Sequence, residues 1–138
     1  MIYVFADTGY WVALIDPDDD IHLKAVSASN QLGKVTIVTH ELVLVEVLNH
    51  FAGYGAFYRR KAVENVERTL HHPGTLVVNM ESERFRQAML RYSRYYDKAW
   101  GLTDCYSFTL MDDMGITDAL AYDHHFQQAG FRALLREA

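Results

Sequence analysis

The sequence predicts an α/β sandwich in which helices cover a mainly parallel sheet of four to five short strands. Short apolar segments alternate with longer amphipathic segments along the whole chain, the pattern of strand–helix–strand units. The chain has 138 residues, of which 50% are hydrophobic, so one domain can bury a sizeable core. Its two prolines and eight glycines are scattered and leave no flexible linker. We therefore expect a single domain over residues 1–138.

Five short apolar segments are predicted to form the strands. They span residues 2–6, 35–38, 75–78, 116–122 and 131–135. Asp7 directly follows the first segment and Asp123 directly follows the fourth. The carboxyl ends of parallel strands meet at one edge of the sheet, and ligands collect there. We therefore expect the chemistry at that edge.

Amphipathic segments between the strands are predicted to form the helices. They span residues 10–15, 21–32, 40–51, 56–70, 81–96 and 104–114, with a short helix ending before Gly130. Asp20 and Thr103 are the predicted N-caps of the second and sixth helices. Gly115 is the predicted C-terminal stop of the sixth, and Asp104 lies in its first turn, where a carboxylate suits the positive helix end.

The charge balance bears on how the protein meets its partners. The formal net charge is −5, which argues against coating nucleic acid by bulk attraction. It permits an enzyme that holds a few phosphates through local cations and metal ions. The predicted fourth and fifth helices supply candidate side chains for holding a phosphate backbone, namely Arg59, Arg60, Lys61, Arg84, Arg86, Arg91 and Arg94.

Cellular location is predicted from the cysteine content and from the apolar segments. The single Cys105 excludes an internal disulfide and fits a reducing compartment, and we expect it to be a buried structural side chain. The amino-terminal segment lacks the features of a signal peptide, and no stretch is long enough to span a membrane. We expect a cytoplasmic protein without a membrane partner.

Four acids are the candidate catalytic residues: Asp7, Glu46, Asp104 and Asp123. Carboxylates that converge cannot all stay ionised unaided, and oxygen ligands suit a hard cation such as Mg²⁺ or Mn²⁺. Such a site supports metal-dependent phosphodiester hydrolysis. Spacing alone leaves each acid with an ordinary structural interpretation. Glu46 in particular either faces water along a polar stripe or faces a charged site.

Four motifs carry a resemblance to a known family. They are Asp7-Thr8 after an apolar strand, Thr39-x-x-Leu42-x-x-x-Glu46, Leu102-Thr103-Asp104-Cys105-x-Ser107-Phe108 with Met111, and Asp123-x-x-Phe126-x-x-x-Gly130-Phe131. In this order and spacing the chain resembles a PIN domain, specifically the VapC-type toxin ribonucleases. The resemblance implies a Rossmann-like three-layer α/β/α sandwich, Mg²⁺-dependent RNA cleavage, homodimerisation and inhibition by a cognate antitoxin protein.

The resemblance also implies roles for individual residues. Asp7 and Asp104 correspond to the most direct metal ligands, and Glu46 and Asp123 complete the acidic set through waters or a second metal. Thr8 and Thr103 are expected to orient the carboxylates. Gly9 departs from the family pattern, in which Ser is commoner, and this removes one hydroxyl contact.

Two other enzyme and binding classes fit the sequence less well. A phosphoaspartyl phosphatase usually has a second Asp two residues after the first, where this chain has Gly9. A receiver-like domain needs an acidic pair before its acceptor Asp and a late lysine, and neither is present. A catalytically idle PIN domain that acts as a protein-interaction module stays open.

Two further expectations concern the surface. The apolar, aromatic-rich helices between His40 and Tyr96 exceed what one small domain needs to cover its sheet, which favours a homodimer. The seven histidines show no repeated ligand spacing. His124 and His125 lie beside Asp123, where substrate contact is a minor alternative to a structural role.

Overall fold

The computed structural model describes residues 1–137. Within them the strands are β1 (Tyr3–Ala6), β2 (Thr36–His40), β3 (Thr75–Val78), β4 (Asp118–Leu120) and β5 (Arg132–Ala133). The helices are α1 (Thr8–Ile15), α2 (His22–Gln31), α3 (Glu41–His50), α4 (Gly55–His71), α5 (Ser82–Arg94), α6 (Leu102–Met114) and α7 (His125–Gln128). A 3-10 turn follows β5 over Leu134–Arg136.

The five strands form one parallel sheet in the order β3-β2-β1-β4-β5. β1 is the central strand, and Phe5 is paired with Val38 on one side and Ala119 on the other. The chain first adds strands on one side of β1 and then returns to add β4 and β5 on the other. The strand order therefore reverses between β1 and β4, which creates a crevice at their carboxyl ends. The predicted α/β fold class is confirmed.

The sheet separates two hydrophobic clusters, since successive strand residues point to opposite faces. Phe5 belongs to the larger cluster, with side chains of α3, α6 and α7. Val4 and Ala6 belong to the smaller cluster, with side chains of α2 and the 3-10 turn. Helix α1 contributes to both clusters. The result is the expected sandwich, with helices on both faces of the sheet.

Helix α6 is buried on all sides through its middle, Cys105–Met111. A helix buried in this way must satisfy its polar side chains internally. The hydroxyls of Ser107 and Thr109 do so by donating to the carbonyls of Thr103 and Cys105, at 2.9 and 2.8 Å. Cys105 is buried as predicted, and burial raises the pKa of its thiol to about 11.

Two predicted N-caps are wrong. The N-cap of α6 is Gly101 instead of Thr103, and the Asp104 carboxylate accepts a hydrogen bond from the Gly101 backbone N–H at 3.2 Å. This hydrogen bond is the half of a capping box in which the side chain at N3 accepts the backbone N–H of the N-cap residue. The N-cap of α2 is Ile21 instead of Asp20, because an Asp19 oxygen accepts the Ile21 N–H at 3.0 Å.

Two strands are shorter than predicted, since a strand extends only as far as its neighbour pairs with it. β4 covers Asp118–Leu120 because it pairs with β1 only at Phe5 and Ala6. β5 covers Arg132–Ala133, and the chain then turns into the 3-10 segment. Among residues 1–137, no helix has the length and apolar character needed to cross a bilayer.

The end of α6 provides a stability test. Gly115 has φ +68°, as predicted for a helix stop, and no atom lies within 4 Å of a Cβ built on it. Gly115→Ala should lower the free energy of unfolding by about 1–2 kcal/mol, the cost of a left-handed non-glycine residue. Gly53 is equally open but lacks a positive φ, so Gly53→Ala should be neutral or slightly stabilising. Chemical denaturation of both variants measures the difference, and equal losses would contradict the account.

Candidate active site

A cavity of about 570 Å³ lies at the carboxyl ends of β1 and β4, where the strand order reverses. All four predicted acids line it: Asp7, Glu46, Asp104 and Asp123. They come from the end of β1, from α3, from the first turn of α6 and from the segment after β4. The structure therefore brings together in space four acids that are far apart in the sequence.

Asp7 is the most buried of the four acids, with 9% of its surface exposed. Its backbone N–H donates to the Leu120 carbonyl at 3.1 Å, which extends the pairing of β1 with β4 by one residue. Burial, followed by the charge of Asp104, raises the pKa of Asp7 from 3.8 to about 8. Glu46 and Asp123 raise this pKa further, and only the Thr8 backbone N–H opposes them.

Glu46 lines the acidic cavity. Of its two predicted environments, a polar stripe that faces water and a charged site, the structure shows the charged site. The Thr8 hydroxyl donates to Glu46 Oε1 at 2.7 Å. Thr8 opens α1 directly after Asp7, so one short segment supplies both a buried carboxylate and a hydroxyl that orients a second one. The contact agrees with the orienting role proposed for Thr8.

Asp104 is held from two sides. Its Oδ2 accepts the Gly101 N–H and lies 3.0 Å from His125 Nδ1. Burial raises the pKa of Asp104, Asp123 adds to the effect, and the Gly101 and His125 hydrogen bonds oppose it. Thr103 is not among the residues that line the cavity, and its carbonyl is occupied by Ser107. The structure thus gives Thr103 no contact with a carboxylate among the described residues.

His125 links two of the acids, a contact that sequence reasoning missed. Its Nδ1 lies 3.0 Å from Asp104 Oδ2 and 3.2 Å from Asp123 Oδ1, and only 15% of its side chain is exposed. Its backbone N–H also donates to Asp123 Oδ1 at 3.0 Å. When both carboxylates are ionised they only accept hydrogen bonds, so Nδ1 carries the proton in that state. The sequence shows two adjacent histidines after Asp123 and no signal for which one turns inward.

Arg136 also lines the cavity and was missed by the sequence analysis. Its Nη1 donates to the Tyr122 carbonyl at 2.6 Å, and its guanidinium lies 4.8 Å from the centroid of the Tyr122 ring. It is the one arginine or lysine among the described residues that line this cavity. No local motif marks it, because the 3-10 turn after β5 brings it back over the end of β4.

The basic side chains predicted to hold RNA lie elsewhere. Arg84 pairs with Asp113 at 3.1 Å and Arg91 with Asp112 at 2.6 Å, so α5 is joined to α6 by ion pairs. Arg59 donates to the Ala52 carbonyl at 2.7 Å. Among the described residues, no arginine or lysine of α4 or α5 lines the acidic cavity. The Arg84 and Arg91 contacts join α5 to α6, and the Arg59 contact joins α4 to the loop before it. An RNA contact by these side chains, outside the acidic cavity, stays a prediction.

The donor set of the cavity fits a hard divalent cation. Four carboxylates share one cavity, and mutual repulsion contributes to the raised pKa of Asp7, so a bound positive charge would relieve a cost that the fold already carries. Oxygen-rich sites of this kind suit Mg²⁺ and Mn²⁺. At the rim, Asp123, His124 and His125 also hold one ligand atom each within 4.8 Å of one another.

The fold is a parallel α/β sandwich, and its acidic cavity lies where the strand order reverses. Together they indicate which class of protein this is. The family model for the PIN domain matches residues 4–132, and the chain belongs to the PIN domain family. This membership removes the phosphatase and receiver-like alternatives. Comparison with the curated proteins finds no significant match by sequence.

Two solved structures share the fold. The first is Mycobacterium tuberculosis VapC20, described as a Sarcin-Ricin loop cleaving toxin, with a TM-score of 0.84 and 26% identity over 93% of this chain and 95% of that chain. The second is FitAcB from Neisseria gonorrhoeae, with a TM-score of 0.62 and 16% identity over 94% of this chain and 95% of that chain. At 16% identity, the likeness to FitAcB shows the fold alone.

The raised pKa of Asp7 predicts how stability depends on pH in the absence of metal. The folded pKa of about 8 exceeds the unfolded value of 3.8, so the folded state holds the extra proton between them. The stability contribution of this group is fully present below the unfolded pKa and is lost as the pH rises through the folded pKa. Asp7→Asn removes this ionisable group. The melting temperature of the variant minus that of wild type, both in EDTA, should therefore increase from about pH 4 to about pH 8.

Thermal unfolding of wild type and Asp7→Asn across this range makes the measurement. Asp97→Asn is the matched control, since Asp97 is an exposed acid that does not line the cavity. It should follow the wild-type curve. A constant difference between Asp7→Asn and wild type at every pH would show that Asp7 ionises normally.

Proposed function

We propose that this protein is a metal-dependent endoribonuclease that hydrolyses phosphodiester bonds in RNA and acts as the toxin of a toxin–antitoxin pair. The observation that supports this most strongly is the convergence of Asp7, Glu46, Asp104 and Asp123 on one cavity of a PIN domain. Bringing four carboxylates together costs electrostatic free energy. A purely structural site does not need such a cluster, so the cluster indicates a functional site.

The proposed roles follow from the contacts of each residue. Asp7 and Asp104 are the direct ligands of Mg²⁺ or Mn²⁺, since they are the two least exposed of the four acids. Glu46 and Asp123 complete the set from the rim, through waters or a second metal. When bound, the cation would offset the carboxylate charge, lower the pKa of the attacking water and stabilise charge developing on the phosphate.

The remaining groups hold these ligands in place. The Thr8 hydroxyl sets the direction of Glu46, and the Gly101 N–H and His125 Nδ1 set the direction of Asp104. Because one imidazole contacts both Asp104 and Asp123, His125 keeps the spacing of these two carboxylates. Positioning groups of this kind are typically worth 10-fold to 100-fold in metal affinity or activity. We assign Thr103 no such part.

The proposed substrate class and partners draw on the relatives. VapC20 is described as a toxin that cleaves the Sarcin-Ricin loop, which supports RNA as the substrate here and a cognate antitoxin as the inhibitor. Such a protein works in the cytoplasm, and the reduced, buried Cys105 suits that location. The net charge of −5 means that RNA must be held by local contacts instead of a general positive field.

Asp104→Asn tests the catalytic proposal. The variant keeps the shape of the side chain but removes one ligand charge, so RNA cleavage should fall by far more than the ~100-fold expected for a merely positioning residue. Excess Mg²⁺ should restore little, because the bound metal is mispositioned. Folding should be unharmed or improved without metal, since one member of a repelling set is gone.

The assay is cleavage of RNA by wild type, Asp104→Asn and the exposed-acid control Asp97→Asn, beside thermal unfolding in EDTA. The control should cleave like wild type. If Asp104→Asn cleaves as fast as wild type, or if wild type is equally active in excess EDTA, the metal-nuclease proposal fails. The idle interaction module would then be the function to retain.

A homodimer is the second proposed property. Large apolar side chains are exposed along α3, α4 and α5, namely Val45, Leu48, Phe57, Val63, Met89, Leu90 and Tyr92. Large apolar side chains left exposed in this number favour an interface, and closed two-fold symmetry is the commonest way to cover them. We expect a dimer that buries part of α5.

Light scattering at micromolar concentration checks the dimer. Leu90 is 71% exposed on α5, and Leu90→Glu should weaken or abolish dimerisation by placing a charge in the interface. Leu23 is 79% exposed on α2, outside this surface, and Leu23→Glu should leave the dimer intact. A monomeric wild-type protein at this concentration would contradict the proposal.

A further inference from the structure

We propose that Arg136, held by Tyr122, is a phosphate-binding residue that anchors the RNA backbone in the acidic cavity. This inference rests on the proposed function, because it concerns how that site holds its substrate. It assigns a role to the 3-10 turn after β5, which no motif of the sequence marks.

Two contacts to Tyr122 place Arg136 at the cavity. Its Nη1 donates to the Tyr122 carbonyl at 2.6 Å, and its guanidinium stacks on the Tyr122 ring at 4.8 Å. Tyr122 immediately precedes Asp123, and both residues line the cavity with Arg136. A cation is therefore placed beside one of the four acids before a ligand binds, which lowers the entropy cost of ordering it.

The remaining donors of Arg136 are not taken by carboxylates. Among residues 1–137 no acid lies within ion-pair distance of its guanidinium, although four acids line the same cavity. The nearby Arg132 shows the contrast, since it pairs with Asp118 and Glu137. A guanidinium has five N–H donors, and the Tyr122 carbonyl accounts for the one recorded hydrogen bond of Arg136.

A phosphate is the ligand whose chemistry fits these donors. A nucleic-acid backbone that enters an acidic cavity is repelled by the carboxylates and needs a cation there, besides any metal. The planar fork of arginine matches two phosphate oxygens at once, which an ammonium cannot do. The lining that the structure describes offers one such fork, so the phosphate contact falls to Arg136.

Three variants test this role against a merely structural one. Arg136→Gln removes the charge, and Arg136→Lys keeps the charge but loses the fork. The control is Lys34→Gln, because Lys34 is an exposed cation just before β2, at the opposite edge of the sheet. Cleavage of a single-stranded RNA oligonucleotide gives kcat/KM. Fluorescence anisotropy over a salt series, in the Asp104→Asn background, gives the dependence of binding on ionic strength.

The expected results are specific. Arg136→Gln should lower kcat/KM by about 10-fold to 100-fold, as when a charge-assisted hydrogen bond is lost. It should also reduce the slope of log binding constant against log salt by about 0.7, the value for one single-strand phosphate contact. Arg136→Lys should keep the slope and recover only part of kcat/KM. Lys34→Gln should change neither quantity.

The outcomes separate this inference from the proposed function. If wild type cleaves RNA while Arg136→Gln keeps its rate and its salt slope, the phosphate contact is wrong and the nuclease stands. A lower melting temperature or a changed Mg²⁺ requirement with an unchanged slope would mean that Arg136 only offsets carboxylate charge, and this too overturns the inference. A wild-type protein that neither binds nor cleaves RNA overturns the proposed function and the inference with it.

Discussion

Parallel pairing of β1 with β2 on one side and β4 on the other is the constraint on which the site depends. β1 precedes both partners in the sequence, so its two neighbours must be reached by crossovers in opposite directions. Their divergence leaves the crevice in which the acids meet. The Asp7 N–H bonded to the Leu120 carbonyl extends the pairing past Ala6 and brings Asp7 close to the segment that carries Asp123. A slip of one residue in this register would turn Asp7 to the other face.

The second constraint is electrostatic. Burial and like charge raise the pKa of Asp7 to about 8, so the metal-free protein tends to keep this acid protonated. Local donors offset part of the repulsion, namely the Thr8 hydroxyl, the Gly101 N–H and His125 Nδ1. The proposed cation would offset the rest, and it would link folding, metal binding and the proposed chemistry through one set of groups.

Helix α6 fixes the position of Asp104 relative to the sheet. Its middle is buried on all sides, and a fully buried histidine at the end of β2 fastens its first turns. His40 Nε2 lies 2.8 Å from Ser107 Oγ, and Ser107 donates to the Thr103 carbonyl beside Asp104. Burial, and then the charge of Arg84, lower the pKa of His40 to about 3, so the ring is neutral and structural. This agrees with the absence of ligand spacing among the histidines.

The sequence by itself determined the order of strands and helices, the positions of Asp7, Asp104 and Asp123 near element ends, the Gly115 stop and the buried Cys105. Each depends on periodicity or on local backbone chemistry. It also determined the family, since the motifs around Asp7, Glu46, Asp104 and Asp123 span the chain. The N-caps of α2 and α6 were misplaced because in each case the residue at the N-cap has no capping side chain, and a nearby Asp carboxylate accepts its backbone N–H instead. Only the tertiary structure decided that Glu46 faces the cavity, that His125 turns inward, that the α5 arginines pair with α6, and that Arg136 returns to the site. Each of these depends on which distant segment lies opposite a side chain, and helical or strand periodicity carries no information about that partner.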